Sequence, residues 1–256
     1  MRQLIAALCL AFAMSAQAST YSSEISDLWY APGEDGWGVN IVLQNGTAFA
    51  TFYVYDTNRN PQWFTAVLDA PGTFTWSGAL YADRGPWFGG PYDSATVTER
   101  QAGTATFTLV SLGHATLTYT VDGVSVSKAL ERLTFKLEDI SGVYAGGYSI
   151  RASGCNPSSI NGIQELSGLM SITQTGAAVN MVSSGSGLSC TFNGTYEQIG
   201  KLGAVVGTYS CSDTSFGQFT LAEITRTISG FTARAFGSNQ FCQQWTGYMG
   251  GIRRAQ

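Results

Sequence analysis

Turn-forming residues interrupt this chain too often for long helices. Runs rich in Val, Thr, Tyr, Phe and Trp alternate with Gly, Pro, Asn and Asp about every 8–12 residues, which is typical of antiparallel sandwiches and barrels. Charged residues make up only 12% of the chain and there are 31 glycines, as short strands and tight turns require. About eight runs precede residue 137 and about eight follow it. The sequence therefore predicts an all-β fold of two consecutive antiparallel barrels or barrel-like domains.

A short charged stretch, residues 136–141, separates two halves of different composition. The first half, residues 19–137, is rich in aromatic residues, whereas residues 138–256 are richer in Gly, Ser and Cys. Two domains fit the usual ~100–200 residues per domain. The second half has the glycine–aromatic rhythm of small up-and-down barrels such as the lipocalin and avidin folds, an analogy of architecture only. Residues 130–138 also contain good helix formers, but a strand is the preferred interpretation.

The N-terminus predicts export. Arg2 is followed by an apolar run from Leu4 to Met14 and by the small-x-small ending Ala16-Gln17-Ala18, which are the three parts of a secretory signal peptide. Residues 1–18 are therefore expected to be removed, together with Cys9. No later segment approaches the ~20 apolar residues of a spanning helix. The sequence predicts a periplasmic or secreted protein without a transmembrane segment.

The net charge of the cleaved chain argues against some classes of binding partner. Removal of Arg2 with the signal peptide leaves 12 basic and 17 acidic residues, a formal net charge of about −5 with the single histidine neutral. Nucleic acids and anionic membranes bind best to proteins with basic surface patches. We therefore expect no nucleic-acid partner.

Three of the six tryptophans lie between residues 27 and 64. Within this stretch, two strand-like runs flank Asn45-Gly46, the commonest signal for a tight hairpin turn. In the second run Phe49, Thr51, Tyr53 and Tyr55 alternate with Ala50, Phe52 and Val54. Neither face is wholly polar, so both faces are expected to be covered to some degree. A third run, from Gln62, begins with Trp63.

The same stretch resembles a domain that recurs in exported proteins of Gram-negative bacteria. The shared motifs are W-Y-x-P at Trp29, G-W-G-x-N at Gly36, an aromatic run ending in Tyr55-Asp56, and N-P-x-W ending at Trp63. A weak match continues to Arg132-Leu133, so the resemblance covers about the first half of the cleaved chain. It implies an exported β-domain and supplies no catalytic residues. The chain departs from the pattern at Asn60, where a turn glycine is usual, and at Phe52, where tryptophan is common.

Four cysteines remain after cleavage, all in the second half, and an even number in an exported chain indicates disulfides. Residues 190–211 are nearly symmetric about a loop at 199–202, which as a hairpin places Cys190 opposite Cys211. Directly opposed strand residues lie within disulfide range. The sequence therefore predicts Cys190–Cys211 and, by elimination, Cys155–Cys242. The second bridge would tie the first loop of the domain to its penultimate strand.

Catalytic and metal-binding motifs are scarce. His114 is the single histidine, which argues against a histidine triad or a zinc site of the usual type. No phosphate loop, dinucleotide fingerprint, nucleophile elbow or calcium loop occurs. We predict no cofactor and no metal. Glu34, Asp35 and Asp56 could serve a sugar hydrolase, but turn-stabilising roles are preferred for all three.

The aromatic cluster supplies the candidate ligand-binding residues. These are Trp29, Tyr30, Trp37, Asn40, Tyr55, Asp56 and Trp63. Large aromatics usually serve packing first, so a plug at the end of the barrel is an alternative role for them. The leading hypothesis is a non-enzymatic exported binding protein that recognises a polymer, a lipid-like molecule or another protein. The alternatives are a carrier of a small apolar ligand in the second barrel and, last, a carbohydrate-active hydrolase.

Overall fold

The structure is a computed structural model that describes residues 22–254, and it confirms the predicted pair of eight-stranded antiparallel barrels. The predicted signal peptide lies outside the described residues. The strands of the first barrel are β1 (Asp27–Tyr30), β2 (Gly38–Gln44), β3 (Thr47–Tyr55), β4 (Pro61–Gly72), β5 (Thr75–Arg84), β6 (Thr98–Leu109), β7 (His114–Val121) and β8 (Val124–Arg132). Those of the second are β9 (Gly142–Cys155), β10 (Gly162–Thr175), β11 (Ala178–Gly185), β12 (Leu188–Ile199), β13 (Leu202–Cys211), β14 (Phe216–Arg226), β15 (Gly230–Asn239) and β16 (Cys242–Arg253). Single 3₁₀ turns lie at Ser94–Thr96 and Ser158–Ile160.

Both barrels have up-and-down topology. Each strand pairs with the next one along the chain, and the last strand returns to the first. In the first barrel this seam is short and pairs Trp29 with Arg132. In the second barrel it extends from the Cys242–Cys155 pair to the Arg253–Tyr144 pair. Closure removes the exposed strand edges that an open sheet would present.

The predicted hairpin at Asn45-Gly46 is confirmed. Both residues have positive φ, 49° and 87°, as the two central positions of a type I′ turn require. Ala48, Ala50 and Phe52 point into the barrel and are buried. The opposite face is covered only in part, because Phe49, Tyr53 and Tyr55 on the outer wall are each about half exposed.

Residues 133–141 connect the two barrels, and the predicted boundary at 137/138 lies within this segment. The strand predicted to continue past residue 132 ends at Arg132, and the alternative helix does not form either. Side-chain amides of the second barrel replace the missing strand partners. Gln198 accepts a hydrogen bond from the Glu138 N–H at 3.0 Å, and Gln174 accepts one from the Ile140 N–H at 3.0 Å. The connection is therefore fixed to the second barrel.

Each barrel begins with a buried aromatic side chain that closes one of its ends in the same way. The Trp29 indole N–H donates to the carbonyl of Ile25 at 2.9 Å, and the Tyr144 hydroxyl donates to the carbonyl of Ile140 at 2.8 Å. In both cases a buried aromatic side chain bonds to a buried isoleucine four residues earlier. Each ring then makes an edge contact with a phenylalanine of its own barrel. One end of each barrel is thus plugged by its own N-terminal segment.

The plugged ends of the two barrels contact each other around Arg132, whose side chain is fully buried. Its guanidinium lies 4.6 Å from the centroid of the Trp29 ring and bonds to Asp27 at 3.0 Å and to the Leu112 carbonyl at 2.6 Å. Asp27 also accepts the N–H of Lys201 from the second barrel at 2.9 Å. Burial lowers the pKa of Arg132, and Asp27 opposes that shift. Since the plugged ends meet, the other end of each barrel faces away from the contact.

Candidate functional site

The predicted aromatic set is divided among different parts of the first barrel. Trp29 is 1% exposed and belongs to the core. Tyr30 is half-buried, with its hydroxyl 3.3 Å from Glu131, and Asn40 is a half-buried strand residue that pairs with Thr51. Tyr55 and Trp63 lie on the outer wall and are about half exposed. These residues do not form one continuous surface that includes Trp29.

Trp37 covers the end of the first barrel that faces away from the second barrel. Its ring stacks on Tyr119 at 6.5 Å between centroids, and its indole N–H donates to the Tyr119 hydroxyl at 3.3 Å. The Lys128 ammonium group lies 5.4 Å from the centroid of the Trp37 ring and is ion-paired with Glu34. Phe52 packs edge-on against Tyr119 from below. The interior of this barrel is therefore filled with aromatic side chains from the plugged end to the open end.

The carboxylates of the hydrolase hypothesis have structural partners or lie in turns. Glu34 is paired with Lys128, and Asp35 lies in the exposed turn before Trp37. Asp56 accepts hydrogen bonds from Asn60 and Asn58, and these bonds lower the pKa of its carboxyl group. Lowering the pKa keeps Asp56 ionised, the opposite of what a general acid needs. The geometry supports the predicted turn role for Asp56.

Two further findings concern metal sites and membrane-spanning helices. Among residues 22–254, no cluster of three or more His, Cys, Asp or Glu side chains is placed to hold a metal ion. Within the same residues, no helix has the length and apolar character to cross a bilayer.

The second barrel, in contrast, contains a cavity of about 420 Å³ at its open end. This volume lies within the ~300–1,000 Å³ of typical small-molecule sites. Its lining is largely apolar and aromatic, with a few polar groups near the mouth. The apolar lining includes Tyr148, Ile150, Ala152, Leu188, Phe192, Tyr209, Ala235, Phe241, Trp245 and Met249. The cavity is therefore suited to a compact ligand with a mainly apolar body.

Three aromatic rings form one wall of the cavity. Phe192 and Tyr209 are stacked at 5.3 Å, and Tyr209 meets Trp245 edge-on at 6.1 Å. Trp245 pairs with Gly237 on the neighbouring strand, and a Cβ atom at residue 237 would collide with the indole. Glycine at this position thus allows the indole to lie flat against the barrel wall.

The Trp245 indole nitrogen has no hydrogen-bond partner among the described residues. The side chain is 6% exposed, and its N–H is a strong donor that ordinarily finds an acceptor when buried. The other two deeply buried indoles, Trp29 and Trp76, donate to the carbonyls of Ile25 and Gly46 at 2.9 and 3.1 Å. Trp245 is therefore the exception among them, and it lines the cavity.

The two disulfides hold the mouth of the cavity. The structure confirms both predicted pairings, Cys190–Cys211 and Cys155–Cys242, and the predicted hairpin register from 190↔211 to 196↔205. The loop predicted at 199–202 is shorter than expected, because Ile199 and Leu202 also pair and only two residues form the turn. The expected placement of the second bridge is wrong in detail. Cys155 ends β9 and Cys242 begins β16, so the bridge crosses the seam between the first and last strands. Both bridges lie at the open end, where strand pairs are most able to separate.

Polar groups at the mouth are few and mostly engaged. The Ser215 hydroxyl and N–H both donate to Asp213, at 2.7 and 2.9 Å, and these bonds lower the pKa of Asp213. Burial raises the pKa of the Tyr148 phenol, with smaller contributions from Tyr209 and Asp213. The Tyr148 hydroxyl is thus a neutral donor beside an anionic rim.

Most cavity residues were absent from the predicted site, but one signal was available. The symmetric hairpin of residues 190–211 places Phe192 and Tyr209 on the same face as the two cysteines, and that face is the interior. Trp245 carries no comparable signal, because nothing near it in sequence shows that its ring borders an empty space.

Comparison with known proteins adds no family. No family model matches the chain, and no curated protein matches it.

Proposed function

We propose that the second barrel binds a small, mainly apolar ligand in its cavity and that the protein acts as a non-enzymatic binding or carrier protein. The observation that carries the proposal is the unpaired indole N–H of Trp245 beside a cavity of about 420 Å³. Leaving a buried donor unpaired costs ~1–3 kcal/mol. A ligand that supplies an acceptor at this point recovers that energy.

The chemistry of the lining defines the ligand further. The stacked pair Phe192 and Tyr209 favours a planar or compact apolar body. The unpaired Trp245 N–H favours a ligand that carries one acceptor, such as a carbonyl or ether oxygen. Asp213 at the rim disfavours a second negative charge at the mouth. We therefore expect a neutral ligand with one buried acceptor.

The location of the protein belongs to the same proposal. Two disulfides support an oxidising compartment, and the predicted signal peptide and the motifs shared with exported β-domains support export. We infer a periplasmic or secreted binding protein whose second barrel is the ligand-carrying unit.

Native mass spectrometry of the protein purified from the periplasm, followed by extraction and identification of any bound molecule, tests the proposal. A second measurement uses 1-anilinonaphthalene, a neutral apolar fluorophore, as a probe that enters apolar cavities and becomes bright there. Ala152→Phe adds a ring inside the cavity and should abolish probe binding. Val206→Phe adds a ring on the exposed outer wall of the same barrel and should leave binding unchanged.

Trp245→Phe separates cavity filling from hydrogen bonding. The apolar probe lacks a strong acceptor, so its affinity should change little. A natural ligand recovered from the native protein should bind about tenfold or more weakly to this variant, since a lost hydrogen bond to a buried donor corresponds to ~1–2 kcal/mol. Equal probe binding by Ala152→Phe and the unmodified protein would place the site elsewhere and overturn the proposal.

A further inference from the structure

A second candidate site lies in the wall of the first barrel, where β4 and β5 stop pairing. In the described chain, the regular ladder between them ends at the Thr65–Tyr81 pair. Both strands continue beyond it, from Pro61 to Phe64 on β4 and from Ala82 to Arg84 on β5, paired only with their other neighbours. A cleft of about 560 Å³ lies at this point. It is independent of the cavity in the second barrel.

The cleft contains an unsatisfied acceptor. Asp83 accepts a hydrogen bond from the Thr65 hydroxyl at 2.9 Å through one carboxylate oxygen. Its other oxygen, Oδ1, is buried and has no partner among the described residues. A buried carboxylate oxygen without a donor is costly. A ligand group that donates a hydrogen bond to Oδ1 would remove that cost.

Donors lie beside this acceptor. Arg84 and Arg100 line the cleft, and so does the Gln62 amide. The Arg100 guanidinium is held by both oxygens of Asp122. Arg84 forms no ion pair with any residue between 22 and 254. The residues that line the cleft thus include one carboxylate with an unpaired oxygen and at least two groups able to donate.

An aromatic platform completes the cleft. Trp63 lines it and is 49% exposed, opposite the equally exposed Tyr53 on β3. Phe64 points into the barrel and is buried, so Trp63 faces outward by strand alternation. A half-exposed indole beside hydrogen-bonding groups provides apolar contact area at low cost in conformational entropy.

We propose that this cleft binds a neutral saccharide. A hydroxyl group both donates and accepts, so neighbouring sugar hydroxyls satisfy Asp83 Oδ1 and also accept from Arg84 or Gln62. The C–H face of the sugar ring stacks on Trp63. An anionic ligand would meet the Asp83 carboxylate, and a cation would meet Arg84 and Arg100. A wholly apolar ligand would leave Asp83 unsatisfied.

Amide and indole NMR shifts of the ¹⁵N-labelled protein, spanning residues 19–256, test this site. The probes are three neutral oligosaccharides: cellotriose, maltotriose and N,N′,N″-triacetylchitotriose. Titration to about 10 mM detects binding with a Kd of about 1 mM. At least one probe should shift the Trp63 indole N–H and the amides of Asp83 and Arg84, with saturation. Sodium acetate and sodium phosphate, added separately, should not compete.

Variants then assign the contacts. Trp63→Ala and Asp83→Asn should each weaken the affinity at least about tenfold, while Trp63→Phe should retain part of it. Tyr248→Ala removes another exposed aromatic side chain, on the second barrel, and serves as the control. Unchanged affinity in Trp63→Ala overturns the proposal. So does the absence of any shift at Trp63 with all three sugars, a readout that needs no variant. Displacement of the sugar by phosphate would show an anion site instead and also overturn it.

Discussion

The unpaired N–H of Trp245 can be tested by stability alone, without a ligand. Trp245→Phe and Trp76→Phe make the same chemical change at two deeply buried positions, 6% and 2% exposed. Each indole also meets one aromatic ring edge-on, at 6.1 and 6.2 Å. Trp245 also lines the cavity. The difference that the comparison uses is in hydrogen bonding: Trp76 donates to the Gly46 carbonyl at 3.1 Å, whereas the Trp245 nitrogen has no partner among the described residues.

The expected costs follow from this difference. Replacing an indole by a phenyl ring removes on the order of 40 Å² of apolar surface, or ~1 kcal/mol of the free energy of unfolding at either site. Trp76→Phe additionally loses a hydrogen bond and leaves an acceptor short of its donor, a further ~1–2 kcal/mol. Trp245→Phe instead removes an unpaired donor whose burial costs ~1–3 kcal/mol, which offsets the lost surface. We therefore expect between no loss and a gain of about 2 kcal/mol for Trp245→Phe, and a loss of about 2–3 kcal/mol for Trp76→Phe. In a barrel of this size the difference of at least ~2 kcal/mol corresponds to about 8 °C or more in Tm.

Differential scanning calorimetry of the two variants beside the unmodified protein measures these losses, and urea unfolding provides a second estimate of each. Both variants replace an indole by a phenyl ring, so the cost of the lost apolar surface is common to both. The difference between their stabilities therefore reports the hydrogen bond. Equal losses for the two variants would refute the reasoning, since they would show that the Trp245 N–H is satisfied within the folded chain. The argument for a ligand acceptor in the cavity would then lose its basis.

Three further predictions concern the framework. Arg132→Met should cost ~3–5 kcal/mol because it leaves Asp27 buried without its cation; the double variant with Asp27→Leu should recover part of that loss, and a cost below ~1 kcal/mol would contradict the assignment. Burial, with a smaller contribution from Glu138, raises the pKa of Tyr196 from its ordinary value of 10.0 to about 12. Stability from this group is complete below pH 10 and is lost as the pH rises towards 12, by on the order of 1 kcal/mol after solvent screening. Melting curves of Tyr196→Phe at alkaline pH should not show this loss of stability. If the variant and the unmodified protein lose stability in parallel as the pH rises, the assignment to Tyr196 is wrong. Reduction of the two disulfides should lower the Tm of the second barrel by the equivalent of ~2–5 kcal/mol and leave the first barrel unchanged, which calorimetry with and without reductant resolves; a matching shift in both transitions would contradict it.

Local sequence signals were sufficient where one strand meets its neighbour in the chain. The Asn45-Gly46 turn predicted a hairpin, and the symmetric residues 190–211 predicted a hairpin together with its register. Turn chemistry sets the register of a hairpin, and period-two alternation sets which face is buried. Both signals act over a few residues, so they can be read without the tertiary structure.

Local signals failed at the connection between the barrels. The run from Leu130 contains residues suited to a strand or a helix, yet the strand ends at Arg132. Arg132 is instead committed to the barrel junction, where it bonds to Asp27 and to backbone carbonyls more than a hundred residues away in sequence or across the β7–β8 hairpin. Propensity over nine residues carries no information about such partners.

The candidate sites show the same limit. Sequence reasoning proposed Trp63 as a candidate binding residue and grouped it with Trp29, which the fold places inside the barrel. The cavity around Trp245 and the cleft around Asp83 depend on where strands that are distant in sequence leave space between them. That space is a property of packed volumes, and no residue type in a single strand encodes it.

The sequence by itself therefore determined the all-β class, the two barrels, the register of the hairpin that holds Cys190 and Cys211, and the pairing of the disulfides, because alternation and turn chemistry are local. The tertiary structure alone decided that the first barrel is filled by Trp29, Trp37 and Trp76 while the second retains a cavity. It also decided that one buried indole donates to no residue of the described chain. These features arise when a sheet closes on itself, since closure fixes which side chains meet across the interior.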